Sequence, residues 1–366
     1  MTTTEQSTMD TAPSDRDALM GRLLESAIGT FNIFSVHVGS RLGFYQALAA
    51  GPHTASGLAA RTNTQQRYVR EWLEQQTIAG ILRVDDPGSA PAERRFTLPE
   101  GHREVLTERE SLNFLAPLAQ ITVGALSPLD KLLAAFRNGG GVAYEDYGVD
   151  LVEGQAGMNR AAFLYQLGQE WLPAIPDVHE RLQAEDARIA DLGCGAGWSS
   201  IGMANSYPNV RVDGLDLDQA SIELARKNVA EAGLSDRVRM ELRDAGDPEL
   251  AGKYDLVVAL ECVHDMSDPV SALRAMKRLA KAGGAVIVVD EKVGEAFTPA
   301  GNEIERLMYG FSVFHCLPVG MAEQPSAGTG TVMRPDTLRR YAQEAGFGEM
   351  EILPIDTFFF RFYRLR

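Results

Sequence analysis

The stretch Ile189-Ala-Asp-Leu-Gly-Cys-Gly-Ala-Gly-Trp198 decides the fold. An apolar run leads into three glycines at alternate positions, Gly193, Gly195 and Gly197, where backbone without side chains can approach a ligand closely. Arg188 to Ala190 reads as a buried strand and Trp198 to Ala204 as the first turns of a helix, so the glycines form a strand-to-helix turn. Free backbone N–H groups at such a turn favour an anionic group. The spacing is G-x-G-x-G, whereas a dinucleotide fingerprint needs G-x-G-x-x-G, and Asp191 stands two residues before the first glycine. Taken alone, the turn is compatible with any α/β protein.

The segments downstream narrow that choice. Val210 to Asp216 reads as the next strand, and a carboxylate at its tip can accept both hydroxyls of a ribose, which makes Asp216 the ribose ligand. Asp218 competes for that role, or serves as the N-cap of a helix from Gln219 to Glu231. A strand from Val238 to Ala245 ends in Asp244-Ala245, where Asp244 with Gly246 and Pro248 also reads as a simple turn. Further strands are expected at Tyr254 to Val263 and Gly284 to Lys292. Strands alternating with helices from Ala187 onward argue a parallel sheet covered on both faces. Glu349 to Ile355 and Phe358 to Leu365 are close enough to pair as an antiparallel hairpin.

Composition excludes several classes. With 35 Lys and Arg against 50 Asp and Glu, the net charge of -15 repels a phosphate backbone, so nucleic acid and anionic membranes are poor partners. No apolar run is long enough to span a membrane, and the first residues lack a signal-peptide pattern, so the expected location is cytoplasmic. Cys194, Cys262 and Cys316 are widely spaced in apolar surroundings and read as reduced core thiols. No metal is expected, because nothing has C-x-x-C ligand spacing, although Cys262 with His264 and His315 with Cys316 are neighbours.

Residues 1–18 are polar and read as a disordered tail. From Leu19 apolar residues recur at helical spacing through Leu23, Leu24, Ile28, Phe34, Val38, Leu42 and Tyr45, a stripe that wants a partner surface. Thr54 to Arg61 and Gln65 to Ala79 read as two helices, followed by strands Ile81 to Val84 and Arg95 to Leu98, the order of a winged helix-turn-helix. Its second helix carries Arg67 and Arg70 but also Glu71 and Glu74, a balance that suits a solvated or protein-contacting face better than DNA. The expected organisation is therefore a tail at 1–18, a winged-helix domain at 19–108, a helical connecting region at 109–182 and an α/β domain at 183–366.

The motif at Asp191 to Gly197 resembles motif I of the class I S-adenosylmethionine-dependent methyltransferases. That resemblance implies a Rossmann-like seven-stranded sheet with an antiparallel last strand, S-adenosylmethionine as cofactor and S-adenosylhomocysteine as product. It implies that Gly193, Gly195 and Gly197 shape the methionine-end pocket and that Asp191 holds the amino end. Asp216 and Leu217 then lie by the ribose, Asp244 and Ala245 by the adenine, and Glu261 and Cys262 beside the methionine moiety. The segment Cys262-Val-His264-Asp-Met resembles the region after strand four of the plant-type small-molecule O-methyltransferases, where a histidine is the general base. By that resemblance His264 is the base, a carboxylate after strand five, Asp290 or Glu291, orients it, and the winged-helix domain makes a homodimer. A near-neutral pKa suits a histidine to deprotonate a hydroxyl at pH 7. The bland alternative is a histidine that merely starts a helix, since many methyl transfers proceed by alignment alone. Met266 stands where the plant-type pattern has Trp, and the chain is closer to a group of actinobacterial methyltransferases with a winged-helix domain, for which no substrate is implied.

The connection from Phe297 to Met333 is longer than a simple loop and reads as a substrate lid. Met308, Phe311 and Phe314, with Tyr147 and His315, would line an apolar pocket. The same stripe could equally pack on the sheet or a second subunit, and His315 reads most simply as a core histidine. Tyr144 and Tyr147, after Gly139-Gly-Gly141, either close over a ligand or rest on the core. The function expected is methyl transfer to an oxygen of a small, partly apolar molecule. The rival readings are a ligand-responsive transcription regulator and a nicotinamide oxidoreductase.

Overall fold

The computed structural model describes residues 14–366. The chain divides after Thr107 into two compact units. In the first, helix α1 (Asp15–Arg41) starts where the Ser14 hydroxyl accepts the Asp17 N–H at 3.2 Å. This cap draws residues 15–18 into the helix, so the expected tail is too long there, and its remainder at 1–13 lies outside the described residues. The second half of α1 is held to α4 (Gln66–Ile78): Trp72 Nε1 donates to the Ser35 carbonyl at 2.8 Å and Gln75 Nε2 to Asn32 Oδ1 at 2.9 Å. The first half is left bare, with Met20, Leu23, Leu24, Ile28 and Phe31 all exposed.

Helices α2 (Phe44–Ala49) and α3 (Ala55–Thr62) precede α4, and an antiparallel pair, β1 (Arg83–Val84) with β2 (Phe96–Thr97), makes the wing before α5 (Glu100–Thr107). The wing strands are shorter than expected because the N–H groups of Ile81 and Leu82 both bond the Gln76 carbonyl, closing the end of α4 instead. Arg67 pairs with Glu71 and Arg94 with Glu74, so two of this unit's cations are neutralised locally.

The second unit holds the strands β3 (Arg188–Leu192), β4 (Arg211–Asp216), β5 (Val238–Leu242), β6 (Tyr254–Leu260), β7 (Ala280–Glu291), β8 (Met350–Ile352) and β9 (Phe360–Leu365). They form one seven-stranded sheet in the order β5-β4-β3-β6-β7-β9-β8, parallel except that β9 runs antiparallel to both neighbours. From β3 the chain moves to β4 on one side and from β6 to β7 on the other, so the carboxyl ends of β3 and β6 flank the switch point where α/β sheets open a crevice. β5 stops at Leu242, short of the expected Ala245, because Asp244 Oδ1 takes the Gly246 N–H at 2.7 Å and turns the chain.

One face of the sheet is covered by α9 (Pro176–Gln183), α10 (Trp198–Ser206), α11 (Gln219–Glu231) and a π-helical stretch, Phe163–Trp171. The other face is covered by α12 (Pro269–Leu279) and α15 (Pro335–Glu344). Between Thr107 and β3 also lie α6 (Ala116–Leu126), α7 (Leu129–Asn138), a 3-10 turn at Tyr144–Tyr147 and α8 (Val149–Ala162). This region does not stand apart as a connector but belongs to the same compact unit as the sheet. Trp171 sets its ring edge-on to Phe360 and Phe362 at 5.5 and 5.3 Å, and a large buried ring of this kind contributes ~1.5–3 kcal/mol. Among the described residues no helix is long and apolar enough to cross a membrane.

Candidate active site

The glycine loop follows β3 at the switch point. Gly193, Gly195 and Gly197 have φ of +64°, +50° and +80°, the left-handed region that disfavours side chains. A Cβ on Gly193 would come within 2.8 Å of the Cys262 side chain, whereas one on Gly195 would meet nothing within 4 Å, so open space lies over Gly195. The N–H groups of the three glycines and of Cys194 are already bonded within the chain. Gly193 and Cys194 donate to the Leu215 carbonyl at 2.8 and 3.3 Å, Gly197 to the Cys194 carbonyl at 2.8 Å, and Gly195 to Asp216 Oδ2 at 2.9 Å. The anion the loop holds is a carboxylate of its own chain.

Asp216 ends β4 and also accepts the Asp218 N–H on Oδ1 at 2.9 Å. Asp218 itself caps α11 through the Ser221 N–H at 2.7 Å, which settles it as a helix cap. Leu217 is 75% exposed at the same strand tip, and Asp244 is exposed in its turn while Ala245 packs on the core. Asp191, the last acid of β3, is buried, and its Oδ2 receives the Ser199 and Ser200 hydroxyls at 2.6 Å each. Burial, only partly offset by those hydroxyls, pushes its pKa up to about 6.

Beyond β6 the backbone turns sharply. Glu261 takes φ +53°, rare for a residue with a side chain and a mark of constraint near functional sites. Its buried carboxylate accepts the Asn159 amide from α8, and burial pushes its pKa up to about 8. A 3-10 turn, Val263–Asp265, then places His264, which is 2% exposed. Its Nδ1 lies 3.0 and 3.1 Å from the two Asp290 oxygens and 3.4 Å from Glu291 Oε2, and its Nε2 lies 3.1 Å from Asp265 Oδ1. Asp290, with both oxygens in hydrogen-bond range, is the orienting carboxylate, and Glu291 stands behind it with Oε2 unbonded. Burial alone would push the imidazole pKa down; Asp290, Glu291 and Asp265 outweigh it and hold it well above the ordinary histidine value. The carboxylates thus raise this histidine's pKa above the near-neutral value expected from the sequence.

The long connection is built of α13 (Glu303–Phe311), a π-helical turn at Ser312–Cys316 and α14 (Leu317–Gly320). Asn302 and Glu305 form a capping box at its start. Met308 is buried, and Phe311 and Phe314 pack on a cluster of Ala125, Leu132, Val142, Tyr147 and Leu151. Tyr147 Oη donates to the Phe314 carbonyl at 2.9 Å, and its ring meets His315 edge-on at 4.7 Å. Burial holds His315 below its ordinary pKa.

Sequence reasoning named Tyr144 beside Tyr147 as a ring that closes over a ligand or rests on the core, but put only Tyr147 in the pocket; burial and the nearby carboxylates of Asp216, Asp218 and Asp265 raise the Tyr144 pKa. Its ring centre is 5.8 Å from His315. An aromatic three residues after a glycine triplet was the available signal. Asn159 carried none, because its role exists only once α8 crosses the end of β6.

A seven-stranded sheet with a reversed β9 and a glycine loop at its switch point is the class I methyltransferase architecture. Residues 183–325 match a family model described as a methyltransferase domain, and residues 32–108 match a Rv2258c-like winged HTH domain. A ubiquinone biosynthesis O-methyltransferase from Nitrosospira multiformis is 31% identical over 180 residues, 48% of this chain and 68% of that protein. One from Marinobacter nauticus is 35% identical over 113 residues, 30% of this chain and 47% of that protein, so the chain spans about half the length of that relative. Human N-acetylserotonin methyltransferase, solved in complex with SAM, shares the fold with a TM-score of 0.68 at 18% identity, over 97% of this chain and 99% of that one. The chain belongs to the class I S-adenosylmethionine-dependent methyltransferases that carry an N-terminal winged-helix domain.

Proposed function

We propose that this protein transfers the methyl group of S-adenosylmethionine to an oxygen of a small, partly apolar molecule. The observation that carries the reading is the Gly195–Asp216 bond. A pyrophosphate needs the loop's N–H groups, and those of Gly193, Cys194, Gly195 and Gly197 are taken, with the Asp216 and Asp191 carboxylates at hand. A cofactor with an ammonium and a sulfonium and no phosphate fits that charge, and the open space over Gly195 admits it. S-adenosylmethionine supplies an activated methyl group when bound.

Asp191 would hold the amino end, Gly193 to Gly197 the methionine end with Glu261 and Cys262 alongside, Asp216 the ribose beside Leu217, and Asp244 and Ala245 the adenine. Tyr147, Met308, Phe311, Phe314 and His315 would line the acceptor side. His264, fixed at Nδ1 by Asp290 with Glu291 behind, takes the acceptor's proton on Nε2, and it does so only in its neutral form. The bare apolar half of α1 supports a homodimer in which a second copy covers it.

The test is incubation with methyl-labelled S-adenosylmethionine and extracts of the source cell, followed by mass spectrometry. A labelled small-molecule ether or ester supports the reading. Tight NAD binding with no S-adenosylmethionine binding by calorimetry overturns it.

A further inference from the structure

Arg160 brings a cation to a loop otherwise ringed by acids. It follows Asn159 near the end of α8, so it is anchored where the Asn159 amide meets the Glu261 carboxylate. Its guanidinium lies over the Trp198 ring, 4.6 Å from the centroid, within the range of a cation–π contact. Trp198 directly follows Gly197 and opens α10, with its ring packed on the core, so the cation is held at the end of the glycine loop. Arg160 Nη1 donates to Glu110 Oε1 at 2.6 Å and to the Arg109 carbonyl at 3.3 Å. Among the described residues, its Nε and Nη2 donate to nothing, which leaves one edge of the guanidinium fork free. The Glu110 side chain is 60% exposed against 24% for Arg160, so the partner is a surface carboxylate, and it is shared with the Tyr165 hydroxyl.

The charges that bear most on Asp191, Asp216 and Glu261 are other carboxylates and His264, with no lysine or arginine among them. Those acids suit the ammonium, the sulfonium and the ribose of S-adenosylmethionine, but they repel the carboxylate that sits beside its ammonium. We infer that Arg160 binds the α-carboxylate of the cofactor's methionine end through its free Nε–Nη2 edge, with the Trp198 ring as its support. An arginine fork matches a carboxylate with two parallel hydrogen bonds, and stacking on a ring fixes the plane of the fork before the ligand arrives. Glu110 occupies Nη1, so it stays in place when the other edge is taken.

This role rests on the methyl-transfer reading, whose cofactor it anchors. With the carboxylate at Arg160 and the ribose at Asp216, the cofactor is held at both ends and the sulfonium between them keeps one direction toward the acceptor.

Calorimetry on the full-length protein with two ligands tests it: S-adenosylhomocysteine, and S-adenosyl-3-thiopropylamine, which lacks only the carboxylate. Arg160→Gln should bind S-adenosylhomocysteine about tenfold or more weakly and keep the wild-type affinity for the amine. Arg160→Lys, with the charge but not the fork, should fall between. Glu110→Gln should keep the wild-type affinity for S-adenosylhomocysteine. Equal losses for both ligands in Arg160→Gln, or the same loss of S-adenosylhomocysteine in Glu110→Gln, would make the ion pair a structural one and overturn the assignment. Wild-type binding of S-adenosylhomocysteine that Arg160→Gln leaves intact overturns it alone, with the methyltransferase reading still standing. A wild-type chain that binds neither ligand overturns both.

Discussion

Asp216 accepts the backbone N–H of Gly195 at 2.9 Å, tying the tip of β4 to the loop after β3. One carboxylate thereby sets the loop's shape and its charge. Asp216→Ala removes a charged acceptor, which costs ~1.5–3 kcal/mol, and frees an N–H in the middle of the proposed cofactor site. Affinity for S-adenosylhomocysteine should fall by about ten- to a hundredfold in calorimetry, with a lower melting temperature. Unchanged affinity would remove Asp216 from the cofactor site.

Asp191 makes that site sensitive to pH. Its pKa is raised from 3.8 to about 6 by burial, so between those values the folded chain holds a proton that the unfolded chain has lost. Its contribution to stability is fully present below about pH 4 and is lost as pH rises through 6. Without ligand, wild type should therefore lose melting temperature relative to Asp191→Asn between pH 4 and 6.5. With S-adenosylhomocysteine the trend reverses, because only the ionised carboxylate pairs with the ligand's ammonium. Ligand stabilisation should grow from pH 5 to 7 in wild type and stay flat in Asp191→Asn.

His264 is held above its ordinary pKa by Asp290, Glu291 and Asp265 against burial, so its neutral form grows only as pH rises beyond the usual histidine range. Turnover limited by that form should climb with pH above 7. Asp290→Asn removes one of the charges that stabilise the imidazolium, so the rise should move to lower pH. His264→Ala should lose about a hundredfold or more in kcat while keeping its affinity for S-adenosylhomocysteine. A pH profile that is flat and identical in the two proteins would end the proton-transfer role.

The loop and strand ends of the proposed cofactor half were legible because they are local in sequence: glycines 193 to 197 and the acids ending β3 and β4 lie on consecutive elements of one βαβ unit. The sheet was legible for the same reason, down to the reversed last strand. The acceptor half was not. His264 could be found by its place at a strand end, but its surroundings come from Asp290 on β7, Cys316 on a π-helical turn and Asn159 on α8, and no spacing rule joins those segments. The pKa expectation failed with them, since a histidine read alone keeps its solution value, and the carboxylates that shift it arrive only with the tertiary fold. The loop N–H groups differ in another way: the glycine pattern was read correctly, but the N–H groups of all three glycines are already bonded within the chain.

The first half of α1 exposes Met20, Leu23, Leu24 and Phe31 at 62%, 62%, 64% and 71%. These side chains recur at helical spacing, so they form one continuous stripe rather than scattered apolar residues. Fully burying each would contribute ~1.5–3 kcal/mol, and a second copy of α1 offers the same stripe by symmetry. Light scattering on the wild-type chain should give twice the monomer mass at micromolar concentration. Leu23→Asp combined with Phe31→Asp puts charges into the middle of the stripe, where an unpaired buried charge is heavily penalised. That double variant should run as a monomer. Because both residues belong to the first compact unit, and the glycine loop and His264 to the second, it should still bind S-adenosylhomocysteine with wild-type affinity. A wild-type chain that remains monomeric up to high concentration would refute the dimer, and a double variant that still dimerises would move the interface elsewhere.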